Sequence, residues 1–177
     1  MSVLLVTKKE VQFVLNETFQ ISHLAPIGEF VQWKLIHDWD DYNELFHAAK
    51  LVQQIAKIEN VWLHTHTLTK RNKNIGVLLI VGGDIHKIEN KYPIAEKSLL
   101  LKYFHIAEKG QGHGSFWLKK VILPHYKKEG YQQNYINSSH PKSFPFYEKT
   151  GDLITTYQQW SDNHLYQRIG NCYKVVL

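Results

Sequence analysis

Lys109-Gly110-Gln111-Gly112-His113-Gly114-Ser115 lies between two apolar runs. Leu99-Leu100-Leu101-Lys102-Tyr103-Phe104-His105-Ile106 precedes it, and Phe116-Trp117-Leu118-Lys119-Lys120-Val121-Ile122-Leu123 follows it. The first run reads as a strand and the second as a helix, so the glycines fall at a strand-turn-helix junction. Three glycines at alternate positions leave backbone amides uncovered and admit positive φ. The helix that follows aims the positive end of its dipole at the turn. The expected ligand is an anion, a phosphate group above all.

A dinucleotide fingerprint requires a third glycine three residues after Gly112, where Ser115 stands, and a P-loop requires Gly-Lys-Ser/Thr after a four-residue gap. Neither is present. The turn resembles the Arg/Gln-x-x-Gly-x-Gly/Ala turn of the GCN5-related N-acetyltransferases, with Gly112 and Gly114 on its glycine positions and Lys109 in place of the Arg or Gln. A second segment carries the same resemblance. Phe146-Tyr147-Glu148-Lys149-Thr150-Gly151 matches the Phe/Leu-Tyr-Glu-Lys-x-Gly signature that this family carries some tens of residues after the glycine turn. The family often has Asn seven residues before that tyrosine and a small residue four before it; here these are His140 and Ser143. The likeness covers about residues 30–177.

The resemblance implies an α/β fold on a mixed, centrally splayed β-sheet flanked by helices, in which two neighbouring parallel strands part to admit the arm of acetyl-CoA. Those strands would be residues 99–106 and 131–137. It implies cofactor contacts from Phe104, His105 and Ile106, from the turn residues Lys109, Gly110, Gln111, Gly112, His113, Gly114 and Ser115, and from Asn137, His140 and Phe146. Tyr147 aligns with the tyrosine that in many members donates a proton to the coenzyme A sulfur. A phenol of pKa about 10 suits a thiolate leaving group near 8.5. The strand before the turn carries no carboxylate, so His105 is the candidate to take the amine proton, directly or through water. Glu89 and Glu96, in the preceding loop, are further candidates, and many members use ordered waters alone.

Bulk properties agree with one globular domain. The chain has 177 residues, 44% hydrophobic, 21% charged and 13% aromatic, enough to bury a core without staples. A formal charge of +5 suits an anionic cofactor, but Lys and Arg are dispersed and no nucleic-acid reader motif is present. The single cysteine, Cys172, excludes an internal disulfide and reads as a small buried hydrophobe. No zinc spacing appears, and no metal is expected. The first residues lack a signal-peptide pattern and no apolar run reaches membrane length, so a cytoplasmic protein, monomer or homodimer, is expected.

Along the chain, residues 8–19 show Val11, Val14, Leu15 and Phe19 near helical spacing. Residues 1–29 are therefore expected to form an N-terminal helical extension. Residues 30–37 alternate loosely and suggest a first strand. Asp40 and Asp41 suit the cap of a helix with an apolar face of Leu45, Ala48, Ala49, Val52, Ile55 and Ala56. Residues 61–69 and 75–82 read as a hairpin, 153–160 and 165–176 as a second. Pro124 should kink or restart the helix after the glycine turn, and residues 141–149 should form the last helix.

His64 and His66 alternate on one strand and share a face, but no third metal ligand accompanies them; they are candidates to line the acceptor site instead. Trp33, Trp39, Trp62 and Tyr42 suit an apolar acceptor pocket. Two functions follow: direct acetyl transfer to a primary amine of a small molecule or peptide, or binding of acyl-CoA without catalysis.

Overall fold

A computed structural model describes all 177 residues. Eight strands form one sheet in the order β1-β2-β3-β4-β5-β6-β8-β7. They are β1 (Ser2–Lys8), β2 (Val11–Asn16), β3 (Val61–Lys70), β4 (Lys73–Gly83), β5 (Ser98–Ile106), β6 (Gln133–Ser138), β7 (Asp152–Trp160) and β8 (Gln167–Val176). The helices are α1 (Ala25–His37), α2 (Glu44–Ile55), α3 (His113–Phe116), α4 (Leu123–Lys128) and α5 (Phe144–Glu148), with a π-helical stretch, Trp117–Ile122, joining α3 to α4. No helix is long and apolar enough to cross a membrane.

Strand alternation divides the core into two faces. Leu78, Ile80, Leu99 and Leu101 pack with Trp117, Leu118, Val121, Tyr126 and Tyr147 on the side of α3, α4 and α5. Val77 and Leu79, their neighbours on β4, pack with Leu24, Ile27 and Ala48 on the side of α1 and α2. Full burial of side chains such as Phe13, Leu78 and Leu79 contributes about 1.5–3 kcal/mol each.

Two expectations fail at the N-terminus. Residues 8–19 are not helical: Val11 belongs to a strand whose Val11, Phe13 and Leu15 all face inward, a period of two that coexists with the helical spacing. Pairing decides between them, because β2 covers the edge of β3 from Val11 opposite Lys70 to Asn16 opposite Thr65. Buried Asn16 seals that pairing through Thr65 O and Thr67 Oγ1, at 3.2 and 3.0 Å. Residues 1–16 are thus sheet, not a helical extension. Residues 30–37, expected as a strand, belong to α1, which starts with Pro26 in its first turn and turns Ile27, Val31 and Lys34 inward. Its outer side carries exposed Trp33, Leu35 and Ile36. Apolar residues on both sides blur the helical period.

The cap of α2 is Asn43, whose Oδ1 accepts from the Phe46 amide at 3.0 Å. Asp40 and Asp41 are drawn instead to Arg168 and to Tyr166 and Asn163. At Pro124 the helix does restart: the π-helical stretch ends at Ile122 and α4 begins at Leu123. The wider turns absorb the hydrogen bond that proline cannot donate.

The only parallel pair is β5 and β6, and it is short. Ser98 to Leu101 pair with Gln133 to Ile136, after which β5 runs on to Ile106 without β6. On its other edge β5 stays bonded to β4, but with a bulge: Leu79 faces Lys102 and Leu78 faces Phe104, leaving Tyr103 unpaired at φ +52°. An extra residue bends a strand and increases its twist. The bend turns β5 away from β6, and the sheet opens into a V.

Candidate functional site

The glycine turn closes the far end of this V. The Ala107 amide bonds to Ile75 O at 2.8 Å, and the next residues leave the sheet. Gly110 and Gly112 take φ of +76° and +72°, and Gly112 caps the helical run that begins at His113. A Cβ built on either would meet nothing within 4 Å, so both look onto open space. The Phe116 amide bonds to Gly112 O at 3.2 Å; the amides before it, as in any first helical turn, have no carbonyl of their own helix to reach. Open space beside uncovered amides is the geometry that helix N-termini offer to anions.

Gly114 seats the helix on the splayed strand. Its built Cβ would lie 3.4 Å from Ile106, 3.7 Å from Phe104 and 4.0 Å from Phe146. Phe104 packs edge-on to Phe146 with centroids 5.9 Å apart, and Phe146 packs on Tyr147 at 5.3 Å. Phe104, Ile106, Gly114, Phe146 and Tyr147 therefore meet on one side of the V. Gln111 and Ser115 are exposed there, and His113 lies 4.0 Å from Glu108. The Tyr147 ring is buried, but its hydroxyl has no protein partner and is not sealed from solvent. Burial, then Tyr173, pushes its pKa above the usual phenol value, so the hydroxyl keeps its proton.

Three predicted cofactor residues project to the other side. His105 faces α1, its ring 5.1 Å from Phe30, with no hydrogen-bond partner. Burial first, then His140, Lys109 and Lys34, pushes its pKa down to about 3. Asn137 alternates with Ile136 onto the α1–α2 side, where it donates to Glu89 and accepts from Tyr92 Oη at 2.9 Å. His140 also lies there, 3.3 Å from Glu44 Oε1 and 3.3 Å from Arg168 Nη2. Lys109 is exposed and reaches over the Phe30 ring at 5.1 Å.

His140 belongs to a buried ion network that spacing does not reveal. Lys34 Nζ lies 2.7 Å from Glu44 Oε1, 3.2 Å from Asp40 and 2.6 Å from Tyr42 O. Arg168 grips the other side of Asp40. Burial opposes the ionisation of Asp40, yet the Tyr42 amide, Arg168 and Lys34 together hold its pKa below the usual value. Glu44 differs: burial outweighs Lys34 and raises its pKa. A guanidinium only donates, so His140 Nδ1 accepts from Arg168 and Nε2–H is left for Glu44. Asp40, Glu44 and His140 lie close enough to share a metal ion, but Lys34 and Arg168 already balance their charge. The network staples α1 and α2 to β8 and to the segment that follows β6.

His64 and His66 do not line this side. Strand alternation turns residues 62, 64 and 66 toward α4, where the two histidines bond Tyr126 Oη at 3.0 and 2.8 Å. Trp62 goes with them, Trp33 and Trp39 are exposed, and of the four expected pocket aromatics only Tyr42 sits by the network, 6.0 Å from His140. Cys172 is buried, as expected.

Acid should weaken the protein through these histidines. His105, His140 at about 4 and His66, well below its usual value, are held neutral in the fold, chiefly by burial. As pH falls through 6.5 the unfolded chain takes up protons that the native state refuses. The stability these neutral rings contribute is complete above 6.5 and is lost as pH falls toward 4. Each costs at most about 1.4 kcal/mol per pH unit, and Glu44, raised, offsets part of it. Urea melts should show the midpoint falling from pH 7 to pH 4.5, with His140→Asn flattening the slope; a midpoint constant over that range would show that the rings titrate normally.

No family model and no curated protein matches this sequence. Solved structures do match the fold. A ribosomal L7/L12 alpha-N-protein acetyltransferase, RimL, superposes with a TM-score of 0.63 at 15% identity, covering 100% of this chain and 96% of that one. A GNAT family acetyltransferase from Elizabethkingia anophelis, solved with acetyl-CoA bound, gives 0.55 at 17%, covering 96% and 100%. The ribosomal-protein-S18-alanine N-acetyltransferase from Escherichia coli gives 0.57 at 10%, covering 93% of both. At such identities the shared property is the fold: this chain has the fold of the GCN5-related N-acetyltransferases.

Proposed function

We propose that this chain is an acetyl-CoA-dependent N-acetyltransferase, acting in the cytoplasm on a primary amine of a peptide or small molecule. The observation that carries the reading is the parting of β5 from β6 after Leu101 and Ile136, directly before a cradle of uncovered amides. The pyrophosphate lies against the amides of residues 111–115, and the freed edge of β5 from Lys102 to Ile106 hydrogen-bonds the pantetheine arm as a missing strand would. The arm then brings the thioester between the two sides of the V.

In this mechanism the amine nitrogen attacks the acetyl carbon, the C–S bond breaks, and the sulfur leaves with a proton from Tyr147 Oη. A carboxylate-free strand leaves the acceptor amine to His105. With a pKa of about 3 this ring cannot hold a proton at neutral pH, so it orients the free amine with a lone pair while the amine's proton passes to water, from which Tyr147 Oη regains the proton it gave the sulfur. The reading of a non-catalytic acyl-CoA binder draws on the same facts: no free carboxylate on β5, and His140 held between Arg168 and Glu44.

Acetyl-CoA at a hundredfold excess over its Kd should stabilise the fold by about 2.7 kcal/mol, a rise in Tm of about 5–10 °C for a chain of this size. Thermal melts with and without the ligand check it; an unchanged Tm defeats the cradle. Release of free thiol across a panel of peptide N-termini and small amines then separates transferase from binder. Cofactor binding with no turnover on any amine favours the binder.

A further inference from the structure

A groove of about 480 Å³ lies on the α4 side of the sheet, away from the ion network, where β1, β2 and β3 meet the end of α4. It is lined by three aromatic rings and two carboxylates. Trp62 lies flat on β4 because its cross-strand partner is Gly82, where any Cβ would collide with the indole. Tyr126 runs nearly parallel to it, 20° off at 6.3 Å between centroids, and is pinned by hydrogen bonds between its hydroxyl and His64 and His66. Tyr131 stands across both, at 71° and 6.0 Å to Trp62 and 80° and 5.9 Å to Tyr126. Tyr126 is buried beneath the other two, so Trp62 and Tyr131, both half-buried, present the aromatic surface of the groove.

Glu17 and Glu129 line the same groove, both exposed and neither in an ion pair. Both act on His64, raising its pKa against the larger effect of burial and the opposing effect of His125. No Lys or Arg lines it, which disfavours an anion. The groove's carboxylates and histidines do not lie close enough to one another to share a metal ion. Ring faces attract cations that carry little bound water. We propose that this groove binds a small organic ammonium ion, its methyl or methylene carbons against Trp62 and Tyr131 and its charge between Glu17 and Glu129. The site is distinct from the transferase reading and does not rest on it.

Calorimetric titration with choline, and with its neutral isostere 3,3-dimethyl-1-butanol, tests this on the whole chain. Choline should bind about tenfold more tightly than the alcohol, and the gap should close in a Glu17→Gln/Glu129→Gln variant. Both positions are exposed, so circular dichroism should show that variant folded. Trp62→Leu should remove binding of both probes. Equal affinity for the two probes in the unaltered chain, a gap that persists in the glutamine variant, or no heat at about 10 mM choline would overturn the assignment.

Discussion

Tyr147→Phe should lower kcat on the order of a hundredfold or more while leaving the Kd for acetyl-CoA nearly constant. The hydroxyl makes no protein hydrogen bond, so its loss leaves no orphaned partner, and the ring contacts with Phe146 and Tyr173 remain. Stability should therefore change by less than about 1 kcal/mol. Because the phenol stays protonated well beyond neutral pH, the lost factor should be the same from pH 6 to pH 9. Steady-state kinetics with thiol detection, beside a direct binding measurement, reads both quantities. A wild-type kcat would remove Tyr147 from proton transfer, and weakened binding with unaltered kcat would make it a cofactor contact.

Gly112→Val should abolish the thermal shift produced by acetyl-CoA. The residue sits at φ +72°, a conformation that a β-branched side chain resists at a cost of about 1–3 kcal/mol. Nothing in the protein lies within 4 Å of the new Cβ, so the cost is backbone strain and the fold should survive it. In the proposed complex the new side chain takes the space of a phosphate. Gly110→Val, at φ +76° with the same open surroundings, should act in the same direction. Circular dichroism establishes that the variant is folded, and calorimetry measures its affinity. A folded Gly112→Val chain that binds acetyl-CoA normally would contradict the cradle.

The glycine turn, the two strands on either side of it and both later hairpins were legible because each rests on local chemistry. Positive φ needs glycine, a helix start needs free amides, and β-branched runs pair with the nearest neighbour. The helix α2 was legible too, from its apolar face of Leu45, Ala48, Ala49, Val52 and Ile55, whereas residues 8–37 were not, for the same kind of reason. In residues 8–19 two periods overlap, and only the unpaired edge of β3 selects the strand. In α1 the apolar outer surface of Trp33, Leu35 and Ile36 hides the inward row of Ile27, Val31 and Lys34. Pro26 was the available signal.

At the site the division is sharper. Sequence alone determined that a glycine turn at positive φ follows a strand and opens a helix, that Phe146 and Tyr147 lie in a segment downstream, and that the strand lacks a carboxylate. Tertiary structure decided which face each side chain takes. The Tyr103 bulge bends β5 away from β6 and creates the V. Alternation sends His105 and Asn137 to one side and Phe104 and Ile106 to the other; the segment after β6 adds His140 to the first and α5 adds Phe146 to the second. The Lys34, Asp40, Glu44, His140 and Arg168 network joins residues as far as 128 positions apart. Pairwise charge over such separations leaves no periodic trace in a sequence, because it depends on where the sheet folds back and not on spacing along the chain.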